Sequence, residues 1–579
     1  MTKSFVFMRF HCPVCLIAIA ICFISFQATA QAPLPKWMTE AERAIYGDYK
    51  KGLPEPANIT PPENPPRTPA EFEETSAIII TWASYSSELR EIVRHAQTAA
   101  SVYIITSNPI WVENYLVSGN VAINNIDFIE VPFNSVWVRD YGPQSVYLNG
   151  TDDLAFIDWD YNRPRPYDNM VPKLLAEHFD LPVYQMAYDS NLLTATGGNF
   201  MTDGQGTGFS SSLILAENTH LSEEQIDQVM YMYKGIGRYI KMDELPFDNI
   251  SHLDMHMKLL DEETLLVGEF PEGISDGPFI EANLEYLASN HLSCYDRPFN
   301  IIRIPMAPSP TGNYPPNAHY RTYTNSLIVN NLVLVPVYGS YLDDVALEIY
   351  QEAMPGYEII GINMNNVISA SGAIHCITRE VAATDPVFIA HASLREAEAD
   401  GVDYEIKAYI NSQSGIEQAS VFWTTDPDAG FYASEMILEN DTFYTHIPAQ
   451  EASTEVFYYI SATNGNNKNI NKPPVAPEGY YRFTVAADET DSPLTESPFR
   501  YKVYPNPGNG LFSLSLAPFS SPLNLVVADM RGQVVYRHQL PGSPAENLLH
   551  IDLRREGPGI YILHLSGNNK TSTEKIIIY

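Results

Sequence analysis

Residues 76–106 read SAIIITWASYSSELREIVRHAQTAASVYIIT, a β-branched run, a charged stretch of helical character and a second β-branched run. Strand, helix and strand in that order predict an α/β unit. The alternation continues to about Ala382, through LAFIDWDY (154–161), TLLVGEF (264–270), NSLIVNNLVLVPVY (325–338) and the helical LDDVALEIYQEA (342–353). The strand runs recur roughly every 50 to 70 residues, which points to an internal repeat.

The texture changes on both sides of this region. Pro33 to Pro69 is Pro-rich and reads as an extended lead lying on a domain surface. After about Pro386, VDYEIKAYINS (402–412), ASVFWTT (419–425), DTFYTHIPA (441–449) and EVFYYISATN (455–464) alternate with turn residues and show no helical period, which predicts an immunoglobulin-like β-sandwich. AADETDSPLTESP (486–498) has the composition of a linker. YPNPGNGLFSLSL (504–516), LNLVVADMRGQVVY (523–536), GIYILHLS (559–566) and EKIIIY (574–579) form a last unit made of strands. The expected boundaries are a signal peptide at 1–30, a catalytic domain with its lead at 31–385, the sandwich at 386–487, a linker at 488–503 and the last unit at 504–579.

A chain of 579 residues exceeds what one core supports. Its formal net charge of -36 repels polyphosphates and anionic membrane surfaces, so nucleic acid is not an expected partner. Lys3, Arg9 and His11 precede an apolar run from Val14 to Phe26 that ends in Ala28-Thr29-Ala30, the pattern of a secretory signal peptide. No later segment offers the roughly 20 apolar residues of a membrane span. Cys12, Cys15 and Cys22 fall within the signal, leaving Cys294 in NHLSCYDRP and Cys376 in SASGAIHC. The two could pair, or one could serve as a thiolate, and the glycine-bearing turn before Cys376 is the more chemical setting.

A thiol needs a base or a positive field to act as a nucleophile. His375 adjoins Cys376, but neighbours on a strand face opposite ways, which makes His252 the better partner. In SHLDMH (251–256), His252 and Asp254 would share one face of a strand, and Asp140 lies in NSVWVRDYGPQ (134–144) ahead of a Gly-Pro turn. Taken with TGGNFMTDGQG (196–206), in which Gly197, Gly198 and Asn199 read as a turn beneath the site, these motifs in this order resemble the guanidino-group-modifying superfamily. Within it they are most similar to agmatine deiminases and the Porphyromonas-type peptidylarginine deiminase, over roughly Pro66 to Asp385. The resemblance implies the pentein fold, a five-bladed α/β propeller of ββαβ repeats. It also implies a hydrolase in which Cys376 attacks a guanidinium carbon, Asp140 and Asp254 grip its N–H groups and His252 moves the protons, with no cofactor required. Structural calcium among the many carboxylates is left open. The last unit resembles the type IX C-terminal sorting domain of Bacteroidetes through Tyr504-Pro505-Asn506-Pro507, Asp529-Met530-Arg531-Gly532-Gln533, Gly559-Ile560-Tyr561 and Lys575, which implies export by that machinery to the cell surface or the medium.

The substrate is read from DYNRPRPYD (160–168). Arg163 and Arg165, two apart in an extended stretch, would repel the distal amine of agmatine and hold a carboxylate instead. By resemblance they bind the α-carboxylate of a C-terminal arginine, and their other reading is as structural ion-pair residues. Trp137 is a candidate stacking face for the guanidinium, or core. Asn325 is a candidate for a substrate peptide group, or a turn at a strand entry. Asn249 stands where the Porphyromonas-type pattern has a tyrosine, and HLDMHMK (252–258) replaces its cysteine-containing stretch, so peptide specificity is less firmly implied than deimination. An arginine-containing peptide or protein is the expected substrate. The alternatives are an agmatine deiminase or other small-guanidine hydrolase, a cysteine peptidase, and a catalytically silent surface-binding protein. Two aspartates at the centre disfavour the peptidase, because an acyl oxyanion needs donors.

Overall fold

The computed structural model describes residues 33–579 apart from 54–58, 151–152, 398–400, 487–498 and the positions 505, 507, 509, 530–532, 544–546, 558, 568–569 and 579. The signal peptide with Cys12, Cys15 and Cys22, most of the linker, and Pro505, Pro507 and Met530-Arg531-Gly532 lie outside the described residues.

One construction recurs along the first half of the chain. A short strand pairs antiparallel with the next, a helix follows, and a third strand returns parallel to the second. The units start at Gln144, Met201, Met257, Leu327 and Arg379, 52 to 70 residues apart, as the repeat in the sequence suggested. Their helices are Val171–Phe179, Glu223–Lys234, Gly277–Asn290, Asp343–Ala353 and Ser86–Ala96. The last unit closes the chain on itself, because Arg379–Ala382 pairs antiparallel with Thr75–Thr81, whose parallel partner is Ser101–Ile105. Each helix covers its sheet with one apolar stripe. In Ser86–Ala96 the stripe is Leu89, Ile92, Val93 and Ala96, all fully buried on the strands bearing Ile78, Ile80, Val102 and Ile104.

Closure is reinforced away from the strands. Asn330 sits at φ 53°, a left-handed turn that asparagine tolerates. Its Oδ1 accepts from the Thr75 N–H at 2.9 Å, and its Nδ2 donates to the carbonyls of Thr75 (2.9 Å) and Ala99 (2.7 Å). One amide thus satisfies main-chain groups of the first strand that the sheet leaves open.

The lead departs from the sequence reading. It is not only an extended surface segment: Glu40–Lys51 is a helix opened by a capping box, in which Thr39 and Glu42 bond each other's main chain, and Lys36 before it is wholly buried. The signal was present in Thr39-x-x-Glu42, and the surrounding prolines obscured it.

Two strand-built units follow. In the first, Phe388–Ala390, Tyr404–Asn411, Thr442–Ile447 and Ile437–Glu439 face a sheet containing Tyr481–Val485, Glu455–Asn464 and Ile416–Thr424. Ile406, Val421, Val456, Tyr458 and Ile460 fill the space between. Lys472 reaches back to Glu262 at 2.7 Å, tying this unit to the first. The second holds Tyr501–Tyr504, Leu511–Leu516 and Asn547–Asp552 against Val534–Leu540, Leu523–Asp529, Gly559–Gly567 and Lys570–Ile578 around Phe512, Leu514, Leu525, Leu563 and Ile576.

Asn330→Ala, by removing three bonds at the closure, is expected to cost about 1–3 kcal/mol. The exposed Asn331→Ala should stay within about 0.5 kcal/mol. Denaturant unfolding of the two variants checks this, and equal losses would contradict it.

Candidate active site

The residues singled out in the sequence sit at equivalent places in the repeat. Asp140, Gly198, Asp254, Asn325 and Cys376 each fall within four residues of the first strand of a unit. Short helical turns carry four of them: Val138–Tyr141, Gly197–Asn199, Leu253–Met255 and His375–Ile377. His252 and Asp254 therefore do not share a strand face. His252 is extended, at φ -98° and ψ 135°, and leads into the turn that holds Asp254. Cys376 also lies on a turn, so the strand argument that set His375 aside does not apply to it.

The turns bring Asp140, His252, Asp254 and Cys376 together, each at most 2% exposed. Asp254 Oδ2 is 3.7 Å from Cys376 Sγ and 2.8 Å from His375 Nδ1, and the other His375 nitrogen is 2.9 Å from Glu71. Glu71 in turn accepts from Lys258 Nζ at 2.7 Å and from the Ile328 N–H at 2.8 Å. His375 is a positioning residue that fixes one oxygen of Asp254. His252 Nδ1 is 3.7 Å from Asp140 Oδ1, beyond hydrogen-bond reach, and its Nε2 lies 3.4 Å from Thr196 Oγ1. Asp140 Oδ1, His252 Nδ1 and Asp254 Oδ1 are all buried without a hydrogen-bond partner among the described residues. Unbonded acceptors on three of the four residues gathered here mark a place made for a ligand with donors.

A lysine stands there, which the sequence reading did not identify. Lys36 Nζ is 2.8 Å from Cys376 Sγ and 3.5 Å from Asp140 Oδ1, and Asp254 acts on the same charge. Its ammonium is fully buried, and the two carboxylates hold its pKa well above the ordinary lysine value despite that burial. Burial pushes the Cys376 thiol up to about 12, helped by Asp254 and Asp140, with Lys36 opposing them. His252 is pushed down to about 3, by burial first and then by Lys36, and so is neutral at physiological pH. Burial alone would raise Asp254, but Lys36 and His375 hold it below the usual carboxylate range.

The residues expected to bind substrate hold the main chain around Lys36. Arg163 Nε donates to the Lys36 carbonyl at 3.0 Å, Arg165 Nη2 to the Pro35 carbonyl at 2.7 Å, and Trp137 Nε1 to the Leu34 carbonyl at 2.8 Å. Arg165 also pairs with the Glu42 carboxylate at 2.7 Å. Trp137 is fully buried and acts here through its N–H. Asn325 follows the second of its two readings, a turn at the entry to the strand Leu327–Val329. Its Oδ1 accepts from the N–H groups of Ala373 (3.0 Å) and Cys376 (3.3 Å), and its Nδ2 is 3.3 Å from the Asp254 carbonyl, so it organises the turn that carries Cys376 and is not left open for substrate.

Cys294 and Cys376 are both free thiols. No group of three or more His, Cys, Asp or Glu among the described residues is arranged to hold a metal ion. No helix of the described residues is long and apolar enough to cross a membrane.

Among the glycines with no room for a Cβ, two abut the residues gathered at Cys376. A Cβ on Gly198 would lie 2.6 Å from His252 Nδ1, 2.9 Å from Asp140 Oδ1 and 3.1 Å from Asp254 Oδ2, and one on Gly372 would lie 2.5 Å from Trp137 and 2.9 Å from Cys376 Cβ. Gly198→Ala should therefore lower turnover roughly 100-fold, as small misplacements of reacting groups do. Gly237→Ala, with open space around it, should leave turnover unchanged. Ammonia release from both variants, each made in the Lys36→Ala protein so that the site is open, with circular dichroism to confirm folding, checks the pair.

Residues 67–381 match the family described as Porphyromonas-type peptidyl-arginine deiminase, and residues 502–579 match the secretion system C-terminal sorting domain. A Vibrio parahaemolyticus protein assigned as an agmatine deiminase is 26% identical over 360 residues, spanning 56% of this chain and 99% of its own. A Lactococcus lactis protein so assigned is 26% identical over 363 residues, 55% of this chain and 96% of its own. A solved X-ray structure, also assigned as an agmatine deiminase, aligns with a TM-score of 0.50 at 23% identity over 55% of this chain and 96% of that one, a likeness of fold alone.

Proposed function

The chain belongs to the Porphyromonas-type peptidyl-arginine deiminase family, hydrolases of guanidino C–N bonds, and carries a sorting domain that marks it for export by the type IX machinery; from this we propose that it converts arginine residues of peptides, best at a C-terminus, into citrulline. The observation that carries the peptide reading is the set of main-chain bonds from Trp137, Arg163 and Arg165 to the carbonyls around a buried cationic residue. Agmatine has no such carbonyls, and its distal amine would meet two guanidinium groups. In a C-terminal arginine, the carboxylate takes the place of the Lys36 carbonyl and gains a charge-assisted bond to Arg163. We further infer that the five repeated units are the blades of a pentein propeller, that residues 386–487 form an immunoglobulin-like sandwich, and that 488–503 link it to the sorting domain.

The reaction uses side chains and water. The guanidinium enters between Asp140 and Asp254, which accept its N–H groups through the buried oxygens that lack partners. Its charge favours the thiolate of Cys376, as any nearby cation does. Neutral His252 takes up the thiol proton, and Sγ bonds to the guanidinium carbon. The C–N bond then breaks, with its electrons going to a terminal nitrogen that receives the proton from His252 and leaves as ammonia. Water attacks the remaining S-alkylthiouronium carbon and gives a proton to His252. The C–S bond breaks as the carbonyl forms, the proton on His252 returns to Sγ, the remaining hydroxyl proton passes to solvent, and a ureido group is left. The net change is addition of one water to the guanidinium and release of one ammonia and one proton, and no organic cofactor or metal takes part.

A second reading, agmatine deimination, is favoured by the assigned activity of the relatives. Ammonia and citrulline release by the Lys36→Ala protein, whose site is cleared of the buried ammonium, should be compared for a peptide ending in arginine, its amide, an internal-arginine peptide and agmatine, with Cys376→Ala added as the inactive control. The free acid should exceed its amide roughly tenfold or more in kcat/KM, the scale of one charged hydrogen bond. Arg163→Ala should erase that preference. Turnover of agmatine alone would assign the protein to the small-molecule branch.

A further inference from the structure

Lysine and arginine side chains match atom for atom as far as the fifth atom beyond Cα, where lysine has Nζ and arginine has the guanidinium carbon Cζ. Lys36 Nζ, 2.8 Å from Cys376 Sγ, therefore stands where the electrophilic carbon of a bound arginine would stand. An ammonium has no carbon bearing a leaving nitrogen, so it fills the site without reacting.

The surrounding contacts are those of a bound peptide. Besides the three carbonyl bonds to Trp137, Arg163 and Arg165, the Lys36 N–H donates to the Ala370 carbonyl at 3.0 Å. The helix that follows is fastened to the same region. Glu42 pairs with Arg165, and Lys50 pairs with Asp160 and bonds Thr194. A lysine this deeply buried is rare unless it is paired, and Lys36 is paired with the catalytic constellation itself.

We propose that residues 34–37 are an intramolecular pseudosubstrate, so that the deiminase is latent until this segment is displaced or removed; this rests on the peptidyl-arginine reading of the site. A tethered segment competes at an effective concentration of about millimolar, which a free peptide at ordinary concentrations does not match. The segment also shows the form of substrate that the cleft admits. The chain continues past the cationic residue to Trp37, so main chain fits on both sides of the reacting side chain.

The full-length protein is compared with Lys36→Ala and Lys36→Arg. A haloacetamidine serves as probe, because its amidinium restores a positive charge between the aspartates while its carbon alkylates the thiol. Intact-mass measurement should show Cys376 modified about tenfold faster or more in Lys36→Ala than in the wild type. In Lys36→Arg, position 36 should become citrulline at a rate independent of protein concentration, and should remain arginine when Cys376→Ala is added. Equal alkylation of wild type and Lys36→Ala would overturn the proposal. So would an unchanged Arg at position 36 in a protein whose Lys36→Ala form deiminates added peptides. Faster alkylation of Lys36→Ala without ammonia release from any guanidine would uphold the block and overturn the deiminase reading. Lys36→Arg preserves the charge and carries Cζ to the position of Nζ, so the register is tested even if the alanine variant does not fold.

Discussion

Two carboxylates held out of water on either side of one thiol need a cation between them. Asp140 Oδ1 and Asp254 Oδ1 are buried and take no hydrogen bond from the described residues, Asp140 having only the Lys36 charge at 3.5 Å, and uncompensated buried charge is costly. The site is therefore stable with a positive group in place, and that same group draws the thiol toward its reactive form. In the proposed reaction, selection of a cationic substrate and activation of the thiol follow from one electrostatic arrangement. A resident cation such as Lys36 meets the same requirement without offering a reaction.

The fold serves this arrangement by repetition. Each unit brings its first strand in from the site, and the turn before that strand delivers one polar group or one close-packed glycine. Because the turns come from separate units, the spacing between Asp140, His252, Asp254 and Cys376 depends on how the units meet. The pairing of Arg379–Ala382 with Thr75–Thr81 and the clasp of Asn330 on Thr75 fix that meeting. The chain Asp254, His375, Glu71 and Lys258 then stiffens one carboxylate from behind, leaving its other oxygen free.

Much of this was legible in the sequence, where the chemistry is written locally. Cys376 after a glycine-bearing turn, His252-x-Asp254 and Asp140 before Gly-Pro each carry their own context, and the repeat showed in the spacing of strand runs. What was misread depended on conformation over three or four residues. Leu253–Met255 and His375–Ile377 are single helical turns, too short for any periodicity, so strand reasoning was applied to them. For Asn325 the sequence leaves a substrate contact and a strand-entry turn both open, because its partners, Ala373 and Cys376, lie some fifty residues on. Lys36 was missed altogether, since it touches a residue 340 positions away and a lone lysine among prolines has no local signature. Arg163 and Arg165 were found, and the carbonyls they hold were not foreseen.

The account stands on Cys376 forming a covalent bond to the guanidinium carbon while Asp140 and Asp254 hold the cation. The most direct test is an acid quench of the Lys36→Ala protein during turnover of a peptide ending in arginine, followed by peptide mapping. The account predicts an S-alkylthiouronium on Cys376, carrying the peptide less one ammonia, that decays as citrulline appears. Citrulline formation with no adduct at Cys376, or with an adduct at another residue, would contradict it.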